Sequence, residues 1–304
     1  MHFTLRHIEV FLATAWHENV SQAAESLSMS QSAASAALKE FEQRFDMQLF
    51  DRVGKRLQLN DFGKSLRPRA EALLSQAREF EQLLLHQGEA GEIKVGATLT
   101  IGNYLAVPIM AEYMNRYPGA KVKLIVENTS SITQKVRNFE LDIGLIEGEL
   151  QDDALTVIPW RDDELSLFCA PTHPLAGRPT LTDEDLISAD WILREAGSGT
   201  RQGFNRAVYG LLPQLRIRLQ LQHTEAIKRA VEAGLGIGCL SKITLQEAFR
   251  RGSLLPLYAP HRDWMRRFYF ILHKQKYRSA GINNWINLCQ EEGADSFSAY
   301  GPDQ

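Results

Sequence analysis

Gln31, Ser32, Ser35 and Lys39 fall near one another on one side of a predicted helix, because residues three and four apart are helix neighbours. Amide and hydroxyl groups in such a row hydrogen-bond base edges in the major groove of DNA, and lysine reaches guanine or phosphate. The plainer alternative is a solvated face on an ordinary helical hairpin. A second set is chemically different. Hydroxyl and amide residues gather where predicted strands run into helices: Thr98 and Thr100, Asn128 and Thr129, Ser198 and Thr200 beside Arg201. Small hydroxyl residues with free backbone N–H groups at helix starts make a receptor for an anion, and Arg201 adds a charge-assisted bond. His223 and Thr224 follow a further strand and close the far wall. Glu147 stays open: it binds a ligand amine, pairs across the site, or repels an anion unless Arg194 or Arg201 neutralises it. The eight histidines are scattered, and no HExxH, GxSxG or GxxxxGK spacing occurs, so neither a catalytic nor a metal centre is expected.

The first set needs rigid support. Ser21 is read as the N-cap of a short helix, and Ser21 and Gln22 join the DNA-facing group. Ser28-Met29-Ser30 breaks the pattern, and Ser30 caps the next helix, whose inner face is read as Ala33, Ala34, Ala37, Leu38 and Phe41. Leu5, Ile8, Phe11, Leu12 and Ala15 form the stripe of a supporting helix. Leu49 and Phe50 anchor the segment after it, Leu57 and Leu59 alternate like a strand, and Val53-Gly54-Lys55 turns between them. The result is a small β-wing carrying Arg52, Lys55 and Arg56, suited to the DNA backbone or minor groove. From Asn60 or Asp61 to about His86, Phe62, Leu66, Ala70, Leu73, Ala77, Phe80 and Leu84 recur at steps of four and three. That near-heptad seam needs a partner, and the same helix of a second copy supplies it. Pro68 should kink this helix near its start. Gln87 to Gly91 is polar and reads as a hinge.

The second set needs an α/β frame. Ile93–Gly96, Val122–Val126 and Leu141–Ile146 read as strands with helices at Asn103–Tyr117 and Ser131–Phe139 between them. A second series follows, with strands at Leu165–Cys169, Leu215–Leu221, Ile237–Leu240 and Phe268–Leu272, and helices at Thr200–Tyr209, Glu225–Ala233 and Thr244–Arg251. Two lobes are implied, with crossings near Pro159–Arg161 and Pro260–Trp264, and ligands bind such folds at the carboxyl ends of the strands. The expected fold class is α+β multidomain. Residues 1–60 form an all-α winged helix-turn-helix, and residues 61–90 a linker helix and hinge. Residues 91–304 form two lobes, about 91–160 with 262–304, and about 161–261.

A length of 304 residues and 44% hydrophobic content support real cores. No apolar run approaches the ~20 residues of a membrane span, and MHFTLRHIEVF lacks the features of a signal peptide, so a cytoplasmic protein is expected. Cys169, Cys239 and Cys289 are far apart and read as buried thiols. Residues 1–90 hold ten Lys or Arg against twelve Asp or Glu, which tells against DNA binding. Between Asp51 and Arg69, however, six basic residues face two acidic ones, and phosphate contact needs only a local cluster.

The segments LRHIEVFLATA, SQAAESLSMSQSAASAALKEFE and LFDRVGKRLQLNDFGKSL, with EAIKRAVEAGLGIGCLS further on, resemble the LysR-type transcriptional regulators. The resemblance covers essentially the whole chain. It implies a winged helix-turn-helix on promoter DNA and a linker helix that makes a dimer, further joined as a tetramer. It also implies a two-lobed domain like periplasmic binding proteins closing on a small effector, RNA polymerase as a further partner, and no other cofactor. Two positions depart from the family pattern: Asp46 stands where glycine is common, and Ala34 where valine or leucine is common. ATLTIGNYLAVPIM, IEGE and WILREAGSGTR are similar to relatives tied to sulfur assimilation, which suggests sulfite or sulfate and leaves small carboxylates open. The competing reading is a cytoplasmic solute-binding module whose helical N-terminus binds protein.

Overall fold

The computed structural model describes residues 2–54, 56–86 and 91–295, with backbone alone at 82, 83, 85, 86 and 292–295. Lys55 and the hinge positions 87–90 lie outside the described residues. The chain divides into two compact units, Met1–Gly91 with Gln275–Ala280, and Glu92–Lys274 with Gly281–Gln304.

In the first unit, α1 (Leu5–His17), α2 (Val20–Ser26) and α3 (Gln31–Arg44) precede the hairpin β1 (Phe50–Val53) and β2 (Arg56–Leu59), and α4 (Asp61–His86) follows. Ile8, Phe11, Ala24, Ala34, Leu38, Phe41 and Phe50 share one core. Ala34 is fully buried, so a small residue suffices where the helices approach closely. Helix α2 is capped by Asn19 and not by Ser21: the Asn19 carboxamide accepts from Ser21 N at 2.8 Å and Gln22 N at 3.2 Å, so the helix starts two residues earlier than expected. Ser30 caps α3 as its sequence position implied, accepting from Ala33 N at 3.2 Å. Asp46 adopts φ 48°, the left-handed conformation that glycine would favour there.

Helix α4 runs unbroken past Pro68, which lies in its first half. The expected seam divides. Ala70 is buried in the winged core beside Leu66, whereas Phe62, Leu73, Phe80 and Leu84 are exposed, the last two at 64% and 70%. Spacing alone did not show that this helix serves its own domain over one part and is uncovered over another.

The second unit is one nine-stranded sheet. Lobe I begins with β3 (Glu92–Ala97), α5 (Leu99–Ile101), a π-helical turn (Gly102–Ala106) and α6 (Val107–Arg116). It continues with β4 (Lys121–Val126), α7 (Thr129–Arg137) and β5 (Ile143–Glu147). Then β6 (Leu155–Cys169) enters lobe II, which contains α8 (Asp183–Ser188), β7 (Asp190–Arg194), α9 (Gly199–Ala207), β8 (Arg216–Leu221), α10 (Thr224–Glu232), β9 (Ile237–Ser241), α11 (Lys242–Arg251) and β10 (Leu255–Leu257). Strand β11 (Met265–His273) returns, and α12 (Ala280–Asp295) ends the chain. The strand order is β4-β3-β5-β11-β6-β9-β7-β8, with β10 on β6. Strands β3, β4 and β5 are parallel, as are β7, β8 and β9, while β11 and β6 run antiparallel between them.

Two sequence expectations change in this unit. The crossing expected near Pro159–Arg161 is made within one continuous strand, β6, where the register shift between Phe268 and Tyr269 leaves Trp160 as the extra residue of a bulge. Its indole fills the space by stacking on Phe270 at 5.1 Å and donating to the Cys289 carbonyl at 2.8 Å. Asp190–Arg194 is a strand of lobe II between β9 and β8; its apolar run of three is too short to show a period in the sequence. The helix expected at Asn103–Tyr117 begins earlier and contains the π-turn.

Candidate functional site

The exposed face of α3 carries Gln31, Ser32, Ser35 and Lys39, and Ser21 and Gln22 are exposed on α2. Ala33, expected inside, is exposed as well; alanine is too small and too weakly apolar to declare its side. The row is therefore Gln31, Ser32, Ala33, Ser35, Ala36 and Lys39, polar groups alternating with methyls. Arg52 and Arg56 are exposed on the wing. Strand β2 is tied to the end of α1, since Leu57 N donates to the Glu18 carbonyl at 2.9 Å while Arg56 meets the Glu18 carboxylate at 3.5 Å.

In the second unit, the hydroxyl-bearing helix starts converge on Glu147 at the end of β5. Thr98 Oγ1 donates to Glu147 Oε1 at 2.9 Å, and Thr100 N to the same oxygen at 3.0 Å. From lobe II, Thr200 Oγ1 donates to Oε2 at 2.8 Å. Arg266 Nη1, from β11, donates to Oε2 at 2.6 Å and to Thr200 Oγ1 at 3.1 Å. Arg266 Nε reaches Asp163 Oδ2 at 2.6 Å, and Ser241 Oγ donates to Asp163 Oδ1 at 2.7 Å. Thr129 Oγ1 donates to the Glu147 carbonyl at 3.3 Å and accepts from Gly199 N at 3.1 Å. A β-carbon at Gly199 would collide with that same Glu147 carbonyl, so glycine is what lets α9 approach β5.

The electrostatics follow from one guanidinium between two buried carboxylates. Burial opposes ionisation of Glu147, but Arg266 and the bonds from Thr100, Thr200 and Thr98 outweigh it and hold the carboxyl at about 2. Burial dominates at Asp163 and raises its pKa despite Arg266 and Ser241. The more fully hydrogen-bonded carboxylate is the one whose pKa falls.

Beside this cluster lies a cavity of about 430 Å³ lined by Leu99, Asn103, Val126, Glu127, Asn128, Ser131, Glu195, Gln222 and His223. Asn128 and His223 are the two residues of the expected receptor that line it. Asn128 caps α7 and donates across the lobes to Glu195 Oε1 at 3.2 Å. His223 is the N-cap residue of α10 and makes no side-chain cap bond, as is true of Ser198 on α9. Both acids are paired: Glu195 with Arg194 at 2.8 and 3.0 Å, Glu127 with Lys135 at 3.4 Å. Thr98, Thr100 and Thr200 are committed to Glu147, and Thr129 to the backbone around it. Ser198 and Thr224 are buried. Arg201 is turned to the Arg194 carbonyl at 3.1 Å and to Asn205 at 2.9 Å.

Comparison with known proteins fits both units. Residues 5–64 match the family described as bacterial regulatory helix-turn-helix protein, lysR family, and residues 86–294 match the LysR substrate binding domain. The chain belongs to the LysR family of transcriptional regulators. It is 43% identical to YeiE of Escherichia coli K12, an uncharacterized HTH-type transcriptional regulator, over 95% of this chain and 98% of that protein. Full-length OxyR from Pseudomonas aeruginosa shares the fold, with TM-score 0.72 at 21% identity over 95% of each chain. The regulatory domain of Synechocystis CcmR, solved with 2-PG, has TM-score 0.62 at 28% identity, covering 67% of this chain and 97% of that one. The first unit of this LysR regulator is thus its DNA-binding half and the second its effector-binding half.

The sequence reading of this LysR regulator missed Arg266, Asp163 and Ser241. Alternation held the signal: Arg266 shares its strand face with Phe268 and Phe270, and Asp163 with Leu165 and Leu167, so both charges had to point inward. Asn103, Ser131 and Gln222 of the cavity carried no comparable signal, because only the meeting of the lobes brings them together.

Proposed function

We propose that this LysR regulator reads promoter DNA through α3 and responds to a small polar anion, such as sulfite, sulfate or a small carboxylate, held in the cavity between its lobes. Gln31, Ser32, Ser35 and Lys39 contact base edges, with Ser21, Gln22, Arg52, Lys55 and Arg56 on the flanking backbone. Two chains pair through the uncovered part of α4, which supplies the second reading head for a two-part site.

The cavity carries the effector half of the reading. Its lining offers amide, hydroxyl and imidazole groups at the starts of α7 and α10, and both of its carboxylates are already neutralised. An uncapped helix start beside such groups favours negative charge. The ligand in CcmR supports a small molecule in the equivalent domain. Melting of the full-length protein is to be followed with sulfite, sulfate, acetate and an uncharged sugar of similar size. A rise with one of the anions and none with the sugar is the expected result; a rise with the sugar alone rejects the anion reading.

A further inference from the structure

Ligand-binding lobes normally close on a solute, and the solute's charge satisfies the helix starts that face it. Here the Thr98 and Thr200 hydroxyls and the Thr100 amide, at two of those starts, are satisfied before any solute arrives. Glu147 lies at the end of a lobe I strand, and its carboxylate takes the side-chain hydroxyl of Thr98 and the amide of Thr100 from lobe I. It takes the Thr200 hydroxyl from lobe II and the guanidinium of Arg266 from the strand running between the lobes. The carboxylate and the guanidinium are each 1% exposed. Four donors around one buried carboxylate are the ligand set of an oxyanion site, and the anion is part of the chain. Further bonds cross the lobe boundary nearby. Gly199 N donates to Thr129 Oγ1 at 3.1 Å, Ser130 N to the Gly197 carbonyl at 3.1 Å, and Asn128 to Glu195 at 3.2 Å. Tyr104, from the π-helical turn, donates to Glu225 of α10 at 3.2 Å.

We infer that Glu147 is a tethered anion that fills the sensor domain's own oxyanion receptor and holds the lobes closed without effector, so that removing its side chain opens a site for a small carboxylate. The effector then acts in the neighbouring cavity on lobes that are already joined. Deleting the Glu147 side chain leaves Thr98, Thr100, Thr200 and Arg266 around a gap of matching charge. Formate or acetate carries the missing carboxylate and restores the bonds without a covalent link.

The test uses the full-length chain with Glu147→Ala and sodium formate, against sodium chloride at equal ionic strength. Glu147→Ala should melt below the wild type and recover several degrees in formate, with no such gain for the wild type. Equal responses to formate and chloride would overturn the proposal. Should the variant fail to fold, hydrogen exchange of the wild type decides. Among the described residues, the acceptors of the Gly199 and Ser130 amides lie across the boundary. Closed lobes slow both, without effector, by ~100-fold or more relative to an unfolded chain; free exchange at both means open lobes and refutes the inference. A carboxylate that binds the neighbouring cavity raises wild type and variant alike, whereas the tethered anion predicts a gain in the variant alone, so this idea and the anion reading of the cavity fail separately.

Discussion

Arg266 Nη1 lies 2.6 Å from Glu147 Oε2, with both side chains 1% exposed, and the same guanidinium serves Asp163 at 2.6 Å. The two carboxylates share that guanidinium and take further bonds from the hydroxyls of Thr98, Thr200 and Ser241, while burial makes Asp163 accept a proton more readily than usual. The lobes of this regulator are therefore joined by polar chemistry at their meeting point.

This arrangement sets a pH dependence. Glu147 is held at about 2 against an ordinary value of 4.5, so its contribution to stability is complete above 4.5 and lost as pH falls toward 2. The shift corresponds to about 3 kcal/mol. Asp163 is shifted upward, so its contribution is present at low pH and lost as pH rises through its raised value. Urea denaturation of the sensor transition at neutral pH should show Glu147→Gln costing about 3 kcal/mol and Asp163→Asn distinctly less. The reverse ranking would mean that Asp163 contributes more to the fold than Glu147.

On the DNA side, Gln31→Ala should weaken binding to a cognate promoter by about 1–3 kcal/mol and leave non-specific binding nearly unchanged. Lys39→Ala should also lower the salt dependence of binding by about one ion if it contacts phosphate. Titrations at several salt concentrations separate the two; equal cognate isotherms for wild type and Gln31→Ala remove Gln31 from the reading set.

Phe80 and Leu84 are 64% and 70% exposed on α4, far more than isolated apolar residues of a helix need be. Replacing both with glutamate should shift the protein to a smaller species in sedimentation and cost it tight promoter binding. An unchanged sedimentation coefficient would place the pairing surface elsewhere.

His223 faces the cavity, while Arg201 is occupied by the Arg194 carbonyl, Asn205 and Gln220. Calorimetry with whichever anion binds should therefore find His223→Ala weakening affinity by about tenfold, the scale of one lost hydrogen bond to a charged group. Arg201→Ala should have a smaller effect. Greater loss at Arg201 would move the effector site toward α9.

Much of the architecture was legible because it is written in local periods. The stripe Ile8, Phe11 and Leu12 and the pair Leu38 and Phe41 marked buried helix faces, and Ser30 marked the start of α3. Alternation of Leu57 and Leu59 marked the wing, and Gly197–Arg201 a glycine-rich helix start. Errors arose where residues send weak local signals: Ala33 does not declare a side, and Asp190–Arg194 is too short to show a period. The division of the α4 seam was hidden for another reason, since apolar spacing reads alike whether the partner is the helix's own domain or another chain.

The amino-acid order alone therefore determined the helix-turn-helix, its polar outer row, the wing, the long helix and the two α/β lobes, since each is encoded by neighbours within a few turns or one strand. Only the tertiary structure decided what the hydroxyls of Thr98 and Thr200 hold. Their acceptor is Glu147, and its cation is Arg266, 119 positions away along the chain. Charge pairing depends on distance in space, and the meeting of β5, β11 and α9 sets that distance.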